Sequence, residues 1–383
     1  LLVQVANPML AWASSRFTRR MGFMVGTAVV GRGIWLLAVL LPLLGLPPTW
    51  GPWLVLGLLA FSSLMQTGTG LTWVSLIGDV VPEEMRGRYF GWRNAICGLV
   101  GMSAGLAAGW YLDRVPAPGS FQMVFWVGLL FAAAGIVLYL HHYEPRPTMI
   151  RLSLADTFRV PLRDANFRRF LIFAMYWSAA VMLAAPFVIP YFLKHLHMTF
   201  TQVAVWAAIA SLCGLVLAPA WGRLADRFGH KTVLVITTFI AGSLHPLCWM
   251  LAMPGFLWFI WLSGFMDALS WGGINTAMFN LSLASAPPRH RLAYIAVLGM
   301  ATGLTGCVAG LLSGPLLDLL MRGTFTLGVF TWTGYHSLFL IAGLLRTQAW
   351  RLLRPVYEPL SMPASALLRD VWNRTLDRLP WRH

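Results

Sequence analysis

Long apolar segments, separated by short polar loops, follow one another along almost the whole chain. Most of them hold about 18 to 25 residues, which is enough for a helix to cross a bilayer core of ~30 Å. The pattern predicts eleven membrane-spanning helices, at residues 1–14, 22–45, 53–78, 90–112, 121–140, 168–193, 201–222, 232–252, 255–285, 292–320 and 327–345. The first segment is short and begins with Leu1, so we expect one more spanning helix upstream of it.

The composition agrees with an integral membrane protein. Hydrophobic residues make up 58% of the 383 positions and charged residues only 11%, whereas soluble domains carry about 25% charged residues. The four cysteines stand singly in the apolar segments, so neither a disulfide framework nor a metal site is indicated. We therefore expect no cofactor, apart from a proton or another coupling ion.

Positive charge is concentrated in alternate loops. The net charge is +15. Most basic residues fall in six groups: Arg16, Arg19 and Arg20; Arg86, Arg88 and Arg93; Arg146, Arg151, Arg159, Arg163, Arg168 and Arg169; Arg223, Arg227 and Lys231; Arg289 and Arg291; and seven from Arg346 onward. The opposite loops hold only Arg114, Lys194 and Arg322. Because such a bias marks the cytoplasmic side, we expect a multi-pass protein of the plasma or inner membrane with a cytoplasmic central linker and tail. Nucleic acid is not an expected partner.

The two halves of the chain resemble each other. A shift of 205 residues aligns Pro82 with Pro287, Arg86 with Arg291, Tyr89 with Tyr294, Gly98 with Gly303, Gly101 with Gly306, Gly105 with Gly310, Gly109 with Gly314, and Asp113 with Asp318. These copies lie six spans apart, so both have the same orientation in the membrane. A parallel repeat of this kind implies a two-fold axis along the membrane normal.

The second half also contains a polar stretch, GRLADRFGHK, at residues 222–231. It closely resembles the cytoplasmic loop signature of the major facilitator superfamily, with these residues in register: Gly222, Asp226, Arg227, Gly229 and Lys231. A weaker copy in the first half, AWASSRFTRRMG, keeps Arg16 and Arg20. The resemblance implies an all-α polytopic fold of two six-helix bundles related by a pseudo-two-fold along the membrane normal. About 11 of the 12 spans are then present, and the absent one is the first.

This resemblance also predicts the domain organisation. Residues 1–142 form the N-terminal bundle with spans 2 to 6, and residues 168–346 form the C-terminal bundle with spans 7 to 12. Residues 143–167 form a cytoplasmic linker that contains a short amphipathic segment. Residues 347–383 form a basic amphipathic cytoplasmic tail, which we expect to lie on the membrane surface.

The loop signature predicts a cytoplasmic gate. In the family this loop latches against the start of the fifth helix of the other bundle, which corresponds here to residues 86–93 with Arg86 and Arg88. We therefore expect Asp226 to contact that segment when the cytoplasmic side is closed. A carboxylate at such a place is favoured by helix N-termini and nearby arginines. In the alternative reading, these charges only stop translocation and solvate a turn.

The resemblance further predicts a central cavity lined by the first, fourth, seventh and tenth helices. Polar and aromatic residues recur at helical spacing in the surviving members of this set: Ser62, Gln66, Thr69 and Trp73 in the fourth, Tyr176 in the seventh, and Asp267, Trp271 and Asn275 in the tenth. The shift of 205 residues places Asp267 opposite Ser62 and Trp271 opposite Gln66. The two halves are thus expected to present matching faces to one solute site.

Asp267 is the only one of the 13 acidic residues that lies deep within a predicted span. A charge at the bilayer centre costs at least ~2.5–3.5 kcal/mol, so Asp267 should face water or a partner. Desolvation favours the protonated form, which suits a group that is loaded with a proton on one side and emptied on the other. The alternative is a buried structural carboxylate that never cycles. Two other polar residues lie within spans: we expect Arg32 to have a packing or ion-pair role, and His245 to be a hydrogen-bonded helix residue and not a proton relay.

These features predict a secondary active transporter, a symporter or antiporter, that moves a small solute by alternating access and is coupled to protons through Asp267. We expect a monomer whose partners are its solute and the lipid bilayer. A polyspecific drug efflux antiporter is one alternative, although Ser62 or Ser63 stands where such proteins usually carry an arginine, and Gly105-Leu106 replaces their Gly-Pro pair. A non-transporting sensor is another alternative. A membrane enzyme is disfavoured because the chain has no HExxH or CxxC motif, and its GxSxG match, GMSAG at residues 101–105, lies inside a predicted span and not at a strand-to-helix turn.

Overall fold

The computed structural model describes residues 2–14, 20–40, 49–81, 83–144, 154–285, 291–328, 330–367, 369 and 370. Over these residues the chain is almost entirely helical. The helices of the first part are α1 (Asn7–Ser14), which follows a 3-10 turn at Leu2–Ala6, α2 (Arg20–Leu40), α3 (Gly51–Val80), α4 (Glu83–Arg114) and α5 (Gly119–Leu140). The second part contains α6 (Leu154–Arg163), α7 (Ala165–Met182), α8 (Ala185–Pro190), a π turn at Tyr191–His195, α9 (Phe200–Phe228), α10 (His230–Leu251), α11 (Trp258–Ala284), α12 (Arg291–Leu320), α13 (Gly334–Gln348) and α14 (Trp350–Leu353).

Eight helices in the described part of the chain are long and apolar enough to cross a bilayer. Within the described residues each of the eleven predicted spans overlaps a helix, but the last helix begins later than predicted. Residues Phe325–Leu327 and Phe330–Trp332 pair as the antiparallel strands β1 and β2. Their threonine and aromatic residues favour strands, and Gly328 turns the chain at a positive φ of 60°. Helix α13 therefore begins only at Gly334.

The chain divides into two compact units. The first consists of Leu1–Cys97, Ala107–Pro161 and Leu292–Leu304. Within it, α2 packs against both α3 and α5, and α1 packs against α3. Gly31 lets α2 approach α3 closely, because a Cβ there would lie 2.8 Å from the Cβ of Met65. Arg32 Nη1 donates to the carbonyl of Ala132 at 3.0 Å and so ties α2 to α5, which confirms its expected packing role.

The second unit consists of Gly98–Leu106, Leu162–Arg291 and Thr305–His383. Helix α10 lies at its centre and packs against α9, α11 and α13. A Cβ at Gly343 of α13 would lie 2.9 Å from the carbonyl oxygen of Gly242, so the backbones of α10 and α13 are in direct contact. Tyr191 and Phe339 are fully buried in an aromatic cluster at one end of this unit.

Helix α7 breaks after Met182 and continues as α8 and the π turn. Pro186 and Pro190 lie in this second piece, where they remove backbone hydrogen bonds and favour a kink. The predicted linker holds the short helix α6, and the carboxylate of Asp164 then caps α7 by accepting from Asn166 N at 2.8 Å and Phe167 N at 3.1 Å. Of the amphipathic tail segment predicted at residues 365–382, residues 365–367, 369 and 370 are helical, and the rest lies outside the described residues.

Candidate functional site

Asp267 lies on α11 and faces α10. Its Oδ1 is 3.3 Å from Nε2 of His245, which is 1% exposed, while the Asp267 side chain is 27% exposed. The same ring nitrogen lies 3.2 Å from the carbonyl oxygen of Ser263. Because a carbonyl oxygen only accepts, Nε2 carries a hydrogen. The hydrogen bond expected for His245 is thus present, and it holds the imidazole beside the carboxylate of Asp267.

Arg346 completes this group from α13. It is 3% exposed, and its Nε and Nη2 donate to the carbonyls of Ala180 at 3.3 Å and Val181 at 3.1 Å. These carbonyls belong to the last turn of α7, immediately before its break, where helix carbonyls lack regular partners. Arg346 is near enough to Asp267 and His245 for its charge to act on both. We call Asp267, His245 and Arg346 the buried triad.

Arg346 is a site residue that the sequence analysis missed, because it was counted with the cytoplasmic tail. It follows the apolar run LFLIAGLL, and an arginine after such a run ordinarily ends a span. In the structure α13 continues to Gln348, and the guanidinium turns inward to α7. One feature of the sequence could have indicated that the helix continues past Arg346: four uncharged residues, enough for one further turn, separate Arg346 from the next basic residue, Arg351.

Two of the aromatic residues predicted for the cavity, Trp271 on α11 and Tyr176 on α7, contact different neighbours. Trp271, one turn after Asp267, has its ring centre 6.1 Å from that of Trp177 on α7. Asn275 is exposed one turn further along α11. Tyr176 instead donates its hydroxyl to the carbonyl of Leu345 on α13 at 2.8 Å. Asp267, Trp271 and Asn275 therefore follow one another along α11, while Tyr176 helps to pack α7 against α13.

The predicted polar face of α3 lies against α2. Ser62 is 1% exposed and donates to the carbonyl of Gly31 at 2.6 Å. The Thr69 hydroxyl is 2.9 Å from that of Thr27, and the exposed Gln66 donates to Ser62 Oγ at 3.1 Å. These hydroxyls thus stabilise the contact between α2 and α3, and Gln66 is the member of the face that is open to its surroundings.

Trp73 and Arg93 form a cation–π contact between α3 and α4. The guanidinium carbon of Arg93 lies 4.3 Å from the centre of the Trp73 ring. Such a contact is worth roughly 0.5–1 kcal/mol at exposed sites. Trp73 thereby holds one of the basic residues that the sequence assigns to the cytoplasmic gate.

The loop signature is more helical than its sequence predicts. Helix α9 continues to Phe228, so Asp226 lies on its exposed last turn, together with Gly222 one turn earlier, and not in a loop beside a helix start. Gly229 alone joins α9 to α10, at a φ of 89°, which favours glycine. Exposed Arg227 forms an ion pair with Asp370 at 3.1 Å. The helix continues because no glycine or proline stands between Gly222 and Gly229.

Glu358 is the carboxylate that occupies the start of α10. Its Oε1 accepts from His230 N at 2.9 Å and its Oε2 from Lys231 N at 2.7 Å. Lys231 Nζ in turn donates to the carbonyls of Arg354 at 3.0 Å and Val356 at 2.7 Å. These contacts fasten residues 354–362, which we call the C-terminal strap, to the loop signature. The sequence places Asp226 in a turn beside helix starts, whereas the structure places it on the last turn of α9 and puts Glu358 at the start of α10.

The first half of the chain supplies the remaining arginines of the predicted gate. Arg16 lies outside the described residues, as do the side chains of Arg86 and Arg88, although Arg20 begins α2. The expected contact of Asp226 with residues 86–93 therefore stays a prediction.

Comparison with known proteins identifies the relatives of this chain. The sequence model of the Major Facilitator Superfamily matches residues 1–189 and 170–363. The multi-drug resistance efflux pump PmrA of Streptococcus pneumoniae is 29% identical over 192 residues, which are 48% of this chain and 41% of that protein. The citrate-proton symporter of Klebsiella pneumoniae is 24% identical over 328 residues, which are 78% of this chain and 70% of the symporter. The chain thus spans less than half the length of the PmrA relatives it matches.

Two solved structures share the fold. The nucleoside transporter NupG superposes with a TM-score of 0.60 at 14% identity, covering 93% of this chain and 88% of that one. A variant of the Escherichia coli fucose:proton symporter FucP gives a TM-score of 0.55 at 13% identity, covering 94% and 88%.

Proposed function

Since this chain belongs to the Major Facilitator Superfamily, we propose that it moves a small solute across a cell membrane by alternating access and couples this movement to protons through Asp267. The chain is a multi-pass membrane protein of this family, and transport, not catalysis, is the activity that we propose for it. The identity of the solute, the role of the proton and the orientation in the membrane are the parts that we propose.

The buried triad is the observation that supports proton coupling. The side chain of Asp267 is 27% exposed and thus open to its surroundings, while its neighbour His245 is almost fully buried. In the described part of the chain, Nδ1 of His245 is buried and has no hydrogen-bond partner. A proton added there would gain no acceptor, so Asp267 and not His245 is the group that takes the proton.

Arg346 links this protonation to the backbone of α7. A charged Asp267 balances the buried guanidinium, whereas a protonated Asp267 leaves it with the carbonyls of Ala180 and Val181 as its main partners. Loss of one partner of a buried charge is expensive, so the two protonation states favour different positions of Arg346. Because these carbonyls lie at the break in α7, we propose that the break moves with the protonation state.

The neighbouring residues indicate what kind of solute fits. The indole rings of Trp177 and Trp271 lie 6.1 Å apart, and exposed Asn275 adds an amide one turn further along α11. Aromatic faces with a few polar groups suit a neutral or cationic small molecule. Asp267 can either attract the cation or carry the proton that travels with a neutral solute.

The first experiment measures the thermal stability of the purified protein with a nucleoside, fucose, citrate and tetracycline, at pH values of about 6 and about 8. A solute at 100 times its Kd stabilises by ~2.7 kcal/mol, which gives a clear rise in Tm. We expect one of these solutes to stabilise the wild type in a pH-dependent way, and Asp267→Asn to lose the pH dependence. Asp318→Asn is the control, because Asp318 is exposed. An unchanged pH dependence in Asp267→Asn contradicts the proposed role.

Drug efflux is the second candidate function, and the sequence relatives favour it. Besides PmrA, the tetracycline resistance protein of class B from Escherichia coli is 28% identical over 141 residues. Ser62 or Ser63 in place of an arginine, and Gly105-Leu106 in place of a Gly-Pro pair, instead favour a substrate range narrower than that of a drug efflux antiporter. Lipophilic cations added to the same panel separate the two candidates: stabilisation by several unrelated cations supports efflux, and stabilisation by one solute class supports a specific transporter.

A further inference from the structure

We propose that a cavity at the end of the second unit, between the start of α10 and the C-terminal strap, binds the phosphate headgroup of an anionic phospholipid. The cavity has a volume of about 500 Å³, within the range of ~300–1,000 Å³ that is usual for ligand sites. Lys231 and Val235 line it from α10, Trp350 and Arg354 from α14 and the residue after it, and Met362 from the strap.

Two cations face this cavity with donors to spare. Lys231 Nζ donates to two backbone carbonyls of the strap, at 3.0 and 2.7 Å, so one of its three hydrogens is left. The guanidinium carbon of Arg354 lies 4.2 Å from the centre of the Trp350 ring. This cation–π contact fixes the position of the guanidinium without using its N–H groups. An arginine held in this way presents a planar fork that matches two phosphate oxygens.

The acid next to the cavity does not cancel this charge. Glu358 is 9% exposed, and its two oxygens already accept from the backbone of His230 and Lys231 at 2.9 and 2.7 Å. With Lys231, Arg354 and Glu358 counted together, two cations and one carboxylate leave a net charge of +1. The same hydrogen bonds hold Lys231 in place, so the carboxylate builds the wall of the site.

An apolar surface leads away from the cavity along α10. Phe239 is 52% exposed, Leu247 45% and Leu251 41%, and Val235 at the cavity begins the same series, with steps of four or eight residues. Residues at this spacing lie on one face of a helix. An acyl chain can therefore run along α10 while the headgroup stays at Lys231 and Arg354. A free phosphate-bearing solute would make no use of this surface.

The location of the cavity also favours a lipid. The basic residues of the chain lie in alternate loops, and the start of α10 belongs to the basic side. Cytoplasmic leaflets carry the anionic lipids, and basic pockets between helices on that side bind their headgroups. Trp350 adds the amphipathic ring that is enriched at membrane interfaces. The site acts independently of which solute the protein carries.

The test measures binding and apparent Tm of the purified protein with phosphatidylglycerol, phosphatidylcholine or glycerol 3-phosphate. We compare the wild type with Arg354→Gln, and use Arg351→Gln as the control because Arg351 is exposed and does not line the cavity. The Arg354 side chain contacts the Trp350 ring, while its backbone carbonyl, which the substitution keeps, holds Lys231. The variant should therefore fold.

We expect phosphatidylglycerol to bind the wild type and Arg351→Gln at least tenfold more tightly than it binds Arg354→Gln, and phosphatidylcholine to bind all three weakly and equally. Native mass spectrometry reads the bound lipid directly, so a change in stability alone does not decide the result. Equal binding of phosphatidylglycerol to all three proteins overturns the site. Saturation by glycerol 3-phosphate at the same concentration as the lipid overturns the assignment to a lipid.

Discussion

Glu358 offers the sharpest test of the contacts around the loop signature. We consider the substitution Glu358→Ala, which removes the carboxylate from the start of α10 and leaves the backbone of the strap unchanged. In the wild type the two carboxylate oxygens accept from His230 N and Lys231 N at 2.9 and 2.7 Å. Both are charge-assisted bonds at the positive end of a helix.

The expected loss follows from these two bonds. A hydrogen bond to a charged group contributes about 1.5–3 kcal/mol, but Glu358 is close enough to the surface for water to replace part of it. We therefore expect Glu358→Ala to destabilise by roughly 2–4 kcal/mol, and Glu358→Gln, which keeps one acceptor oxygen, by about half of this amount. Asp370→Asn is the matched control. Its partner Arg227 is 51% exposed, and a surface pair of this kind contributes at most ~1 kcal/mol.

The assay combines thermal unfolding in detergent with hydrogen exchange at the start of α10. A loss of 1 kcal/mol lowers Tm by roughly 1 °C in a chain of this size, so Glu358→Ala should lower it by about 2–5 °C and Asp370→Asn by at most about 1 °C. The amides of His230 and Lys231 should exchange faster only in the Glu358 variants. If Glu358→Ala is as stable as Asp370→Asn and its amides stay protected, then Glu358 does not hold α10 and the reasoning fails.

Three further predictions concern single contacts. Gly229→Ala should destabilise by about 1–3 kcal/mol, because the φ of 89° disfavours a side chain and a Cβ would lie 2.7 Å from Ser361 Cα. Gly222→Ala is the control: it lies inside α9 and its added Cβ meets nothing within 4 Å, so the same melting assay should show no loss and a gain of up to ~1 kcal/mol. Arg346→Met should lower Tm sharply, and the double variant with Asp267→Asn should recover part of the loss, since the uncompensated buried charge is then removed; strictly additive losses would argue against their interaction. Tyr191→Phe should cost about 1–2 kcal/mol, because its buried hydroxyl donates to the carbonyl of Trp249 at 2.9 Å; an unchanged Tm would show that this bond contributes nothing.

The spans were predictable because a bilayer imposes a length and a composition on each helix. The hairpin at residues 325–332 was not, since its aromatic residues raise the apolar average of the segment as much as a helix would. A strand pair differs from a helix there only by threonines and by Gly328, and these signals are weak over eight residues.

Asp267 could be identified as a singular carboxylate, but its partners could not. His245 and Arg346 come from two other helices, and no spacing in the sequence joins them to Asp267. The hydroxyl groups of Ser62 and Thr69 show the reverse case. Their helical spacing predicts one common face of α3, and the structure contains that face, but the sequence does not tell which neighbouring helix it meets.

The role of Glu358 was hidden for a related reason. Asp226 lies four residues before His230 in the sequence, whereas Glu358 lies 128 residues after it. Proximity in the sequence therefore draws attention to Asp226, which the structure places on the last turn of α9. The position of Glu358 is decided by the course of the chain after α14, which returns to α10 and brings Met362 N to the carbonyl of Phe228 at 3.0 Å.

Transport driven by a pH gradient in proteoliposomes tests the central claim most directly. The solute that stabilises the protein in the thermal panel is used as the probe, and wild type, Asp267→Asn and Asp318→Asn are compared. We predict that the gradient drives accumulation by the wild type and Asp318→Asn but not by Asp267→Asn, which should still exchange solute between the two sides when no gradient is present. Accumulation by Asp267→Asn at the wild-type level would contradict proton coupling through this carboxylate.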